Sequence, residues 1–232
     1  HTEFFPPKDK KNFDIQMSGQ LEGIGAQLQE RDGAIKVSSI VPGSASWKQG
    51  QLKAGDIIIK VAQGDKEPVD VTSMRLDDAI ELIRGKKGTE VRLTIKKPDA
   101  SIVIIPIVRD VVILEETYAR SSVIQHGNKK IGFIHLPSFY ADFNKPGGRT
   151  CSKDIKVELE KLEKDKVDGI VIDLRNNGGG SLQDVIKMMG FFIPKGPVVQ
   201  VMQKDKKVPL VYSDEDPGVI YNGPLALLVN EN

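Results

Sequence analysis

Apolar positions along this chain change spacing several times, and the changes mark out its elements. Ile35 to Val41, Ile57 to Val61, Val91 to Ile95 and Ser101 to Val108 crowd or alternate β-branched side chains, the pattern of strands. Val111 to Leu114 repeats that character. Leu76, Ala79, Ile80 and Ile83 fall instead at i, i+3, i+4 and i+7, predicting a helix that Gly85 stops. Phe13, Ile15 and Met17 alternate with Asp14 and Gln16, the period of a half-buried strand. Ser44 is placed to cap a short helix through Trp47 that ends near Gly50.

Further on, the two periods alternate regularly. A strand from Lys130 to Leu136 follows the turn residues His126-Gly127-Asn128, and Pro146 to Arg149 reads as a loop. Ser152 is then expected to cap a helix whose buried face is Ile155, Leu159 and Leu162, with lysines and glutamates solvated opposite. Val167 to Ile172 reads as a buried strand, and Leu182, Val185, Ile186 and Met189 define another helix from Ser181. Pro197 to Met202, Leu210 to Tyr212 and Leu225 to Val229 complete the strands. Such alternation implies a largely parallel α/β sheet with its function at the carboxyl ends of the strands.

Asp173-Leu174-Arg175-Asn176-Asn177-Gly178-Gly179-Gly180-Ser181 occupies one such end. Three glycines between a strand and a helix allow a tight turn whose N–H groups face outward. Those groups suit a carboxylate, a phosphate or a developing oxyanion. No Lys-Ser or Lys-Thr follows at phosphate-loop spacing and Gly-x-Gly-x-x-Gly is absent, so an oxyanion site and a plain connection remain. Ser181 with Asp184 reads as a helix cap, and Asp173 is placed to brace the turn by accepting N–H bonds.

The segment Asp173 to Gly180 resembles the signature of carboxyl-terminal processing proteases, the tail-specific serine peptidases. An upstream set resembles a bacterial PDZ domain: Gly23-Ile24-Gly25-Ala26, Val41-Pro42-Gly43-Ser44-Ala45, Gly55-Asp56, and Ile83-Arg84-Gly85-Lys86-Lys87-Gly88-Thr89. The resemblance implies α+β and α/β architecture: a small barrel-like PDZ domain with helices at 21–98, and a partial crotonase-like protease domain at 99–232. Residues 1–20 would belong to the protease core. An extended peptide would add along Gly25 to Leu28, facing Leu76, Ile80 and Ile83, as a strand beside a helix. Its terminal carboxylate would take N–H bonds near Gly23, from Ile24, Gly25 and Ala26. In the catalytic domain, an N–H of Gly179 or Gly180 would donate to the oxyanion. The resemblance also implies protein or peptide partners with free apolar C-termini, and a periplasmic or other extracytoplasmic location.

Composition narrows the classes further. Lysine plus arginine number 33 against 32 acids, a net charge of +1 that argues against nucleic acid. No stretch reaches the roughly 20 apolar residues of a membrane-spanning helix. The N-terminus lacks an apolar signal region and an initiator methionine, as expected if a targeting segment were removed or the chain cut from something longer. The single cysteine, Cys151, excludes an internal disulfide. No His, Cys or Asp spacing suggests a metal, and no cofactor is expected.

The family's nucleophile is a serine in a Ser-Ala-Ser-Ala-Ser-Glu-like segment, with a lysine base beyond it. Leu228-Val229-Asn230 matches the approach to that segment, so the Ser/Lys dyad is expected past residue 232 and this chain alone is expected to be inactive. His135 and Asp173 are the pair to test for an internal triad; His135, in an apolar strand, is read as structural, and the triad is rejected. Arg84 is read as a cation complementing the end of its helix, or as a latch between domains; Arg175 has no assigned role. The alternative reading is a non-catalytic PDZ peptide-binding protein. A third, acyl-thioester chemistry on a crotonase core, is disfavoured by the PDZ insert.

Overall fold

The computed structural model describes Phe4 and residues 6–202, 204 and 207–231. The chain forms two compact units: Gln20–Ile113, and the sequence on either side of it.

The inner unit opens with strands β1 (Gln20–Gly23), β2 (Ala26–Arg31) and β3 (Ala34–Ile40) and the short helix α2 (Ala45–Gln49); helix α1 (Pro7–Ser18) belongs to the other unit. Strands β4 (Ile57–Gln63) and β5 (Val69–Asp70) precede helix α3 (Leu76–Ile83), and β6 (Glu90–Lys96), β7 (Ile102–Val108) and β8 (Asp110–Ile113) close the unit. The sheet order is β2-β3-β4-β6-β7 with β5 on β4, while β1 and β8 pair separately. Alternation works as period two demands: Val91, Leu93 and Ile95 of β6 and Ile105 and Ile107 of β7 point inward and are fully buried. They join Ile35, Val37, Leu52, Ile58, Ala79 and Ile83 in one core. Ser44 caps α2, accepting from Trp47 N–H.

The sequence reading ended this unit at residue 98 and treated the next strands as a return to the second domain. Pairing decides otherwise. β7 runs antiparallel to β6 from Lys96↔Ile102 to Glu90↔Val108, and β8 pairs with β1, so the unit continues to Ile113.

The outer unit begins with α1 (Pro7–Ser18), where the alternation at Phe13, Ile15 and Met17 had predicted a strand. Pro7 at the first helical position, Asp9 in the first turn and Gly19 as a left-handed cap at φ 64 outweigh three alternating residues. The unit continues with β9 (Arg120–His126), β10 (Lys129–His135), α4 (Cys151–Lys164), β11 (Gly169–Asp173), α5 (Leu182–Met189), β12 (Gly196–Val201), β13 (Leu210–Asp214) and β14 (Leu225–Leu228). Its main sheet has the order β14-β11-β10-β9. β10, β11 and β14 are parallel and β9 is antiparallel. β12 and β13 form their own antiparallel pair, so they are not members of the parallel sheet. Helix α4 packs Ile155, Leu159 and Leu162 on the sheet, with Ile134, Ile170 and Ile172 beneath. A Cβ on Gly132 would come within 2.7 Å of Leu162 Cδ1, which is how closely helix and strand approach.

Thr150, and not Ser152, caps α4 by accepting from Lys153 N–H. Ser152 lies within the first turn, and its buried hydroxyl donates to Asp184 at 2.6 Å.

Candidate active site and peptide groove

In the outer unit, β11 ends at Asp173, which is 5% exposed. Arg175 closes on it: N–H to Oδ1 at 3.1 Å, Nε to Oδ1 at 2.8 Å and Nη2 to Oδ2 at 2.8 Å. These bonds from Arg175 hold the Asp173 carboxyl at a pKa of about 2, against the desolvation that would raise it. His135 ends the adjacent strand with Nδ1 3.8 Å from Asp173 Oδ2. Arg175, without a role in the sequence reading, is thus the brace of this turn.

The loop then folds against the segment after β10. Asn177 donates to Leu136 O at 3.0 Å and accepts the Gly179 N–H at 2.9 Å. Phe139 N–H bonds Gly179 O, and Ser181 N–H bonds Phe139 O, making Gly180 the parallel partner of Phe139. A Cβ on Gly180 would lie 2.2 Å from Phe139 O, and its φ of +143° disfavours any side chain as well. Phe139 is itself held by its neighbour: buried Tyr140 donates to Asp154 and accepts Ala119 N–H. Among the described residues, no protein acceptor takes the N–H groups of Gly178 or Gly180.

Ser181 caps α5, accepting from Asp184 N–H and donating to Asp184 Oδ2 at 2.6 Å. Asp184 is therefore shared by Ser181 and Ser152, while His135 sits beside Asp173. Ser181, His135 and Asp173 form no relay. Cys151 is buried, and desolvation pushes its thiol up to about 12, which keeps it out of nucleophilic chemistry.

The loop is also tied to β14. Leu174 N–H bonds Leu228 O at 2.9 Å. Asn176, at φ 62, exchanges two bonds with Asn230: its N–H to Asn230 Oδ1 at 3.0 Å, and Asn230 Nδ2 to its Oδ1 at 2.9 Å. Sequence reading missed this pair; the signal was an Asn-Gly-rich turn with an asparagine just past a neighbouring strand.

In the inner unit, β2 is an edge strand with α3 packed near it. Gly25 precedes β2 at φ +74°, and a Cβ there would meet Ser44 Cβ at 2.1 Å. Its carbonyl accepts from Val41 N–H and the Ser44 hydroxyl, and Ile24 O accepts from Ser46 N–H. The carbonyls are thus taken inward. The N–H groups of Ile24 and Gly25 have no acceptor among the described residues. Gly23 pairs with Asp110, and Ala26 with Ile40. Of the expected groove side chains, Leu28, Leu76 and Ile80 are half-buried, while Ile24 and Ile83, each 3% exposed, belong to the core.

Arg84 caps α3 only through its backbone, N–H to Ile80 O. The cation that complements the helix end is Arg109, which no sequence pattern singled out beyond a lone basic residue between two apolar runs. Among the described residues, no group of three His, Cys, Asp or Glu side chains could hold a metal, and no helix is long and apolar enough to cross a membrane.

Comparison with known proteins matches these two regions separately. Residues 130–232 match the peptidase family S41, and residues 13–96 match the PDZ domain. The two matches give one chain an S41 peptidase region and a PDZ domain. Over its length the chain is similar to carboxyl-terminal processing proteases. It is 38% identical over 231 residues to the tail-specific protease of Haemophilus influenzae, covering 99% of this chain and 32% of that protein. It is 32% identical to the carboxy-terminal processing protease CtpA of Bacillus subtilis, over 100% of this chain and 45% of the relative. The chain thus spans less than half of either. A crystal structure of the PDZ domain of the Vibrio cholerae carboxy-terminal protease, in complex with peptide, is 42% identical and covers 40% of this chain and 97% of that one, at a TM-score of 0.39.

Proposed function

We propose that this chain is the peptide-recognising and oxyanion-supplying part of a tail-specific serine endopeptidase. The inner unit captures free, apolar C-termini along β2 and α3, using the Ile24, Gly25 and Ala26 N–H groups for the terminal carboxylate. The outer unit supplies one N–H, from Gly180 or Gly179, to the tetrahedral oxyanion. The nucleophilic serine and its lysine lie downstream of residue 232, in the part of the relatives that this chain does not span. An extracytoplasmic location accompanies the reading and is checked by cell fractionation.

The observation that carries the reading is the Gly180 N–H beyond the carboxyl end of β11, left without an acceptor among the described residues. β14 is the neighbouring strand, and its continuation is where the family places the serine. Of the two glycines Gly180 is the stronger candidate, because Asn177 already takes the Gly179 N–H.

A chain ending at residue 232 binds peptides without cleaving them; extended downstream, it cleaves. Mass spectrometry of an unfolded substrate with an apolar C-terminus checks both. Specific turnover by residues 1–232, abolished by Ser181→Ala or His135→Ala, would overturn the assignment. Failure of the extended protein to cleave would favour the alternative of a non-catalytic peptide-binding protein.

A further inference from the structure

Arg109 stands between β7 and β8 and is 3% exposed. Its guanidinium is spent on neutral groups. Nε donates to Ile83 O at 2.8 Å and Nη2 to Leu82 O at 3.1 Å, the last carbonyls of α3. Nη2 also reaches Gln63 Oε1 at 2.7 Å, and Nη1 reaches Thr89 Oγ1 at 2.9 Å and Glu90 O at 3.4 Å. No carboxylate pairs with it among the described residues; the adjacent Asp110 is paired to Lys87 and Lys48. Gly85 leaves room for the group, since a Cβ there would lie 2.9 Å from Arg109 Cζ. Arginine keeps its charge under such burial.

A buried, uncompensated cation is costly for one helix cap, because a water-exposed terminus needs none. Its position gives the reason. Asp110, the next residue, pairs with Gly23, directly before Ile24 and Gly25. The end of α3 is at the same place: a Cβ on Gly23 would lie 3.8 Å from Arg84 Cγ, and Ile83 shares a core cluster with Ile24. Without Arg109, the partial negative charge of the α3 carboxyl terminus would face the spot where a ligand carboxylate should sit.

We propose that Arg109 is the electrostatic positioning residue of this carboxylate subsite: it cancels the negative end of α3, leaving the Gly23–Ala26 loop net attractive to an anion. The inference rests on the reading of that loop as a carboxylate site. It separates Arg109 from a plain structural cap, which would support acid and amide ligands equally.

The test is calorimetric titration of residues 1–232 with one apolar peptide, as free acid and as C-terminal amide. The unaltered protein binds the acid about ten-fold or more tightly; equal affinities overturn the carboxylate reading and the inference with it. With Arg109→Met, acid affinity falls about three- to ten-fold while amide affinity holds. Equal losses for both ligands overturn the inference and leave the carboxylate reading standing. Should Arg109→Met not fold, Thr89→Asp and Thr89→Asn form a matched pair at an exposed position. Each keeps an acceptor for Nη1, and only Asp neutralises the guanidinium. Thr89→Asp should narrow the acid-to-amide ratio and Thr89→Asn should not; an unchanged ratio in Thr89→Asp overturns the inference.

Discussion

The Gly23–Ala26 loop and the Gly178–Ser181 loop solve one problem in two ways. Each uses a glycine at positive φ, packed where a Cβ would collide, to turn backbone N–H groups away from the protein. At Gly25 the obstacle is Ser44, and the loop's carbonyls are bonded inward to Val41, Ser44 and Ser46. At Gly180 the obstacle is Phe139 O, and the neighbouring residues make the bonds of a parallel bridge. The difference lies in what surrounds the free donors. The first loop has an edge strand, apolar groove residues and a buried cation, the equipment for a stable anion. The second follows a turn where Asp173 is neutralised by Arg175, and its Gly178 and Gly180 N–H groups have no acceptor among the described residues. With an acidic side chain as the nearest buried charge, that suits a charge that exists only in a transition state better than a ground-state carboxylate.

The comparison breaks most visibly at Gly180. In the downstream-extended protein, Gly180→Val should lower kcat by about 10²–10³ while leaving peptide affinity at the PDZ groove unchanged. Hydrogen exchange of α5 and β11 checks that the outer unit stays folded. Gly25→Val should do the reverse: affinity for the free-acid peptide falls at least ten-fold, and cleavage of short peptides that need no groove persists.

Asp173 supplies a smaller, pH-resolved effect. Its folded pKa of about 2 lies below the ordinary carboxylate value, so it adds stability that is full above about pH 4 and fades as pH falls toward 2. Asp173→Asn should lose that portion of the acid unfolding curve, read by circular dichroism, with little further change at neutral pH beyond a constant offset. The smallest effect is expected at Asn176. Because its φ is 62, Asn176→Gly should cost less than Asn176→Ala, both within about 1–2 kcal/mol in urea unfolding, as one reciprocal pair with Asn230 is lost.

Much of this was legible before any coordinates. The glycine signatures located both loops, because a glycine required at positive φ leaves its mark at a fixed place in a motif. The Ser181 cap was readable for the same reason, being local in sequence. What stayed hidden was long-range. Arg109 reaches α3 from 26 residues away, and nothing in its own neighbourhood announces the helix end it serves. The Asn176–Asn230 exchange spans 54 residues. β9 was missed because Arg-Ser-Ser-Val-Ile-Gln-His has little apolar pattern, its place coming from the ladder with β10. The α1 error is of another kind: three alternating residues also satisfy the i, i+4 spacing of Phe13 and Met17, and Pro7 and Gly19 were the better guides.

The central claim concerns one hydrogen bond. A peptide boronate with an apolar residue at the scissile position, bound to the downstream-extended protein, would place a tetrahedral oxygen where the oxyanion forms. The account predicts that oxygen about 2.7–3.1 Å from Gly180 N in the crystal. A boronate oxygen directed away from the loop, with Gly180 N–H still unbonded, would contradict it.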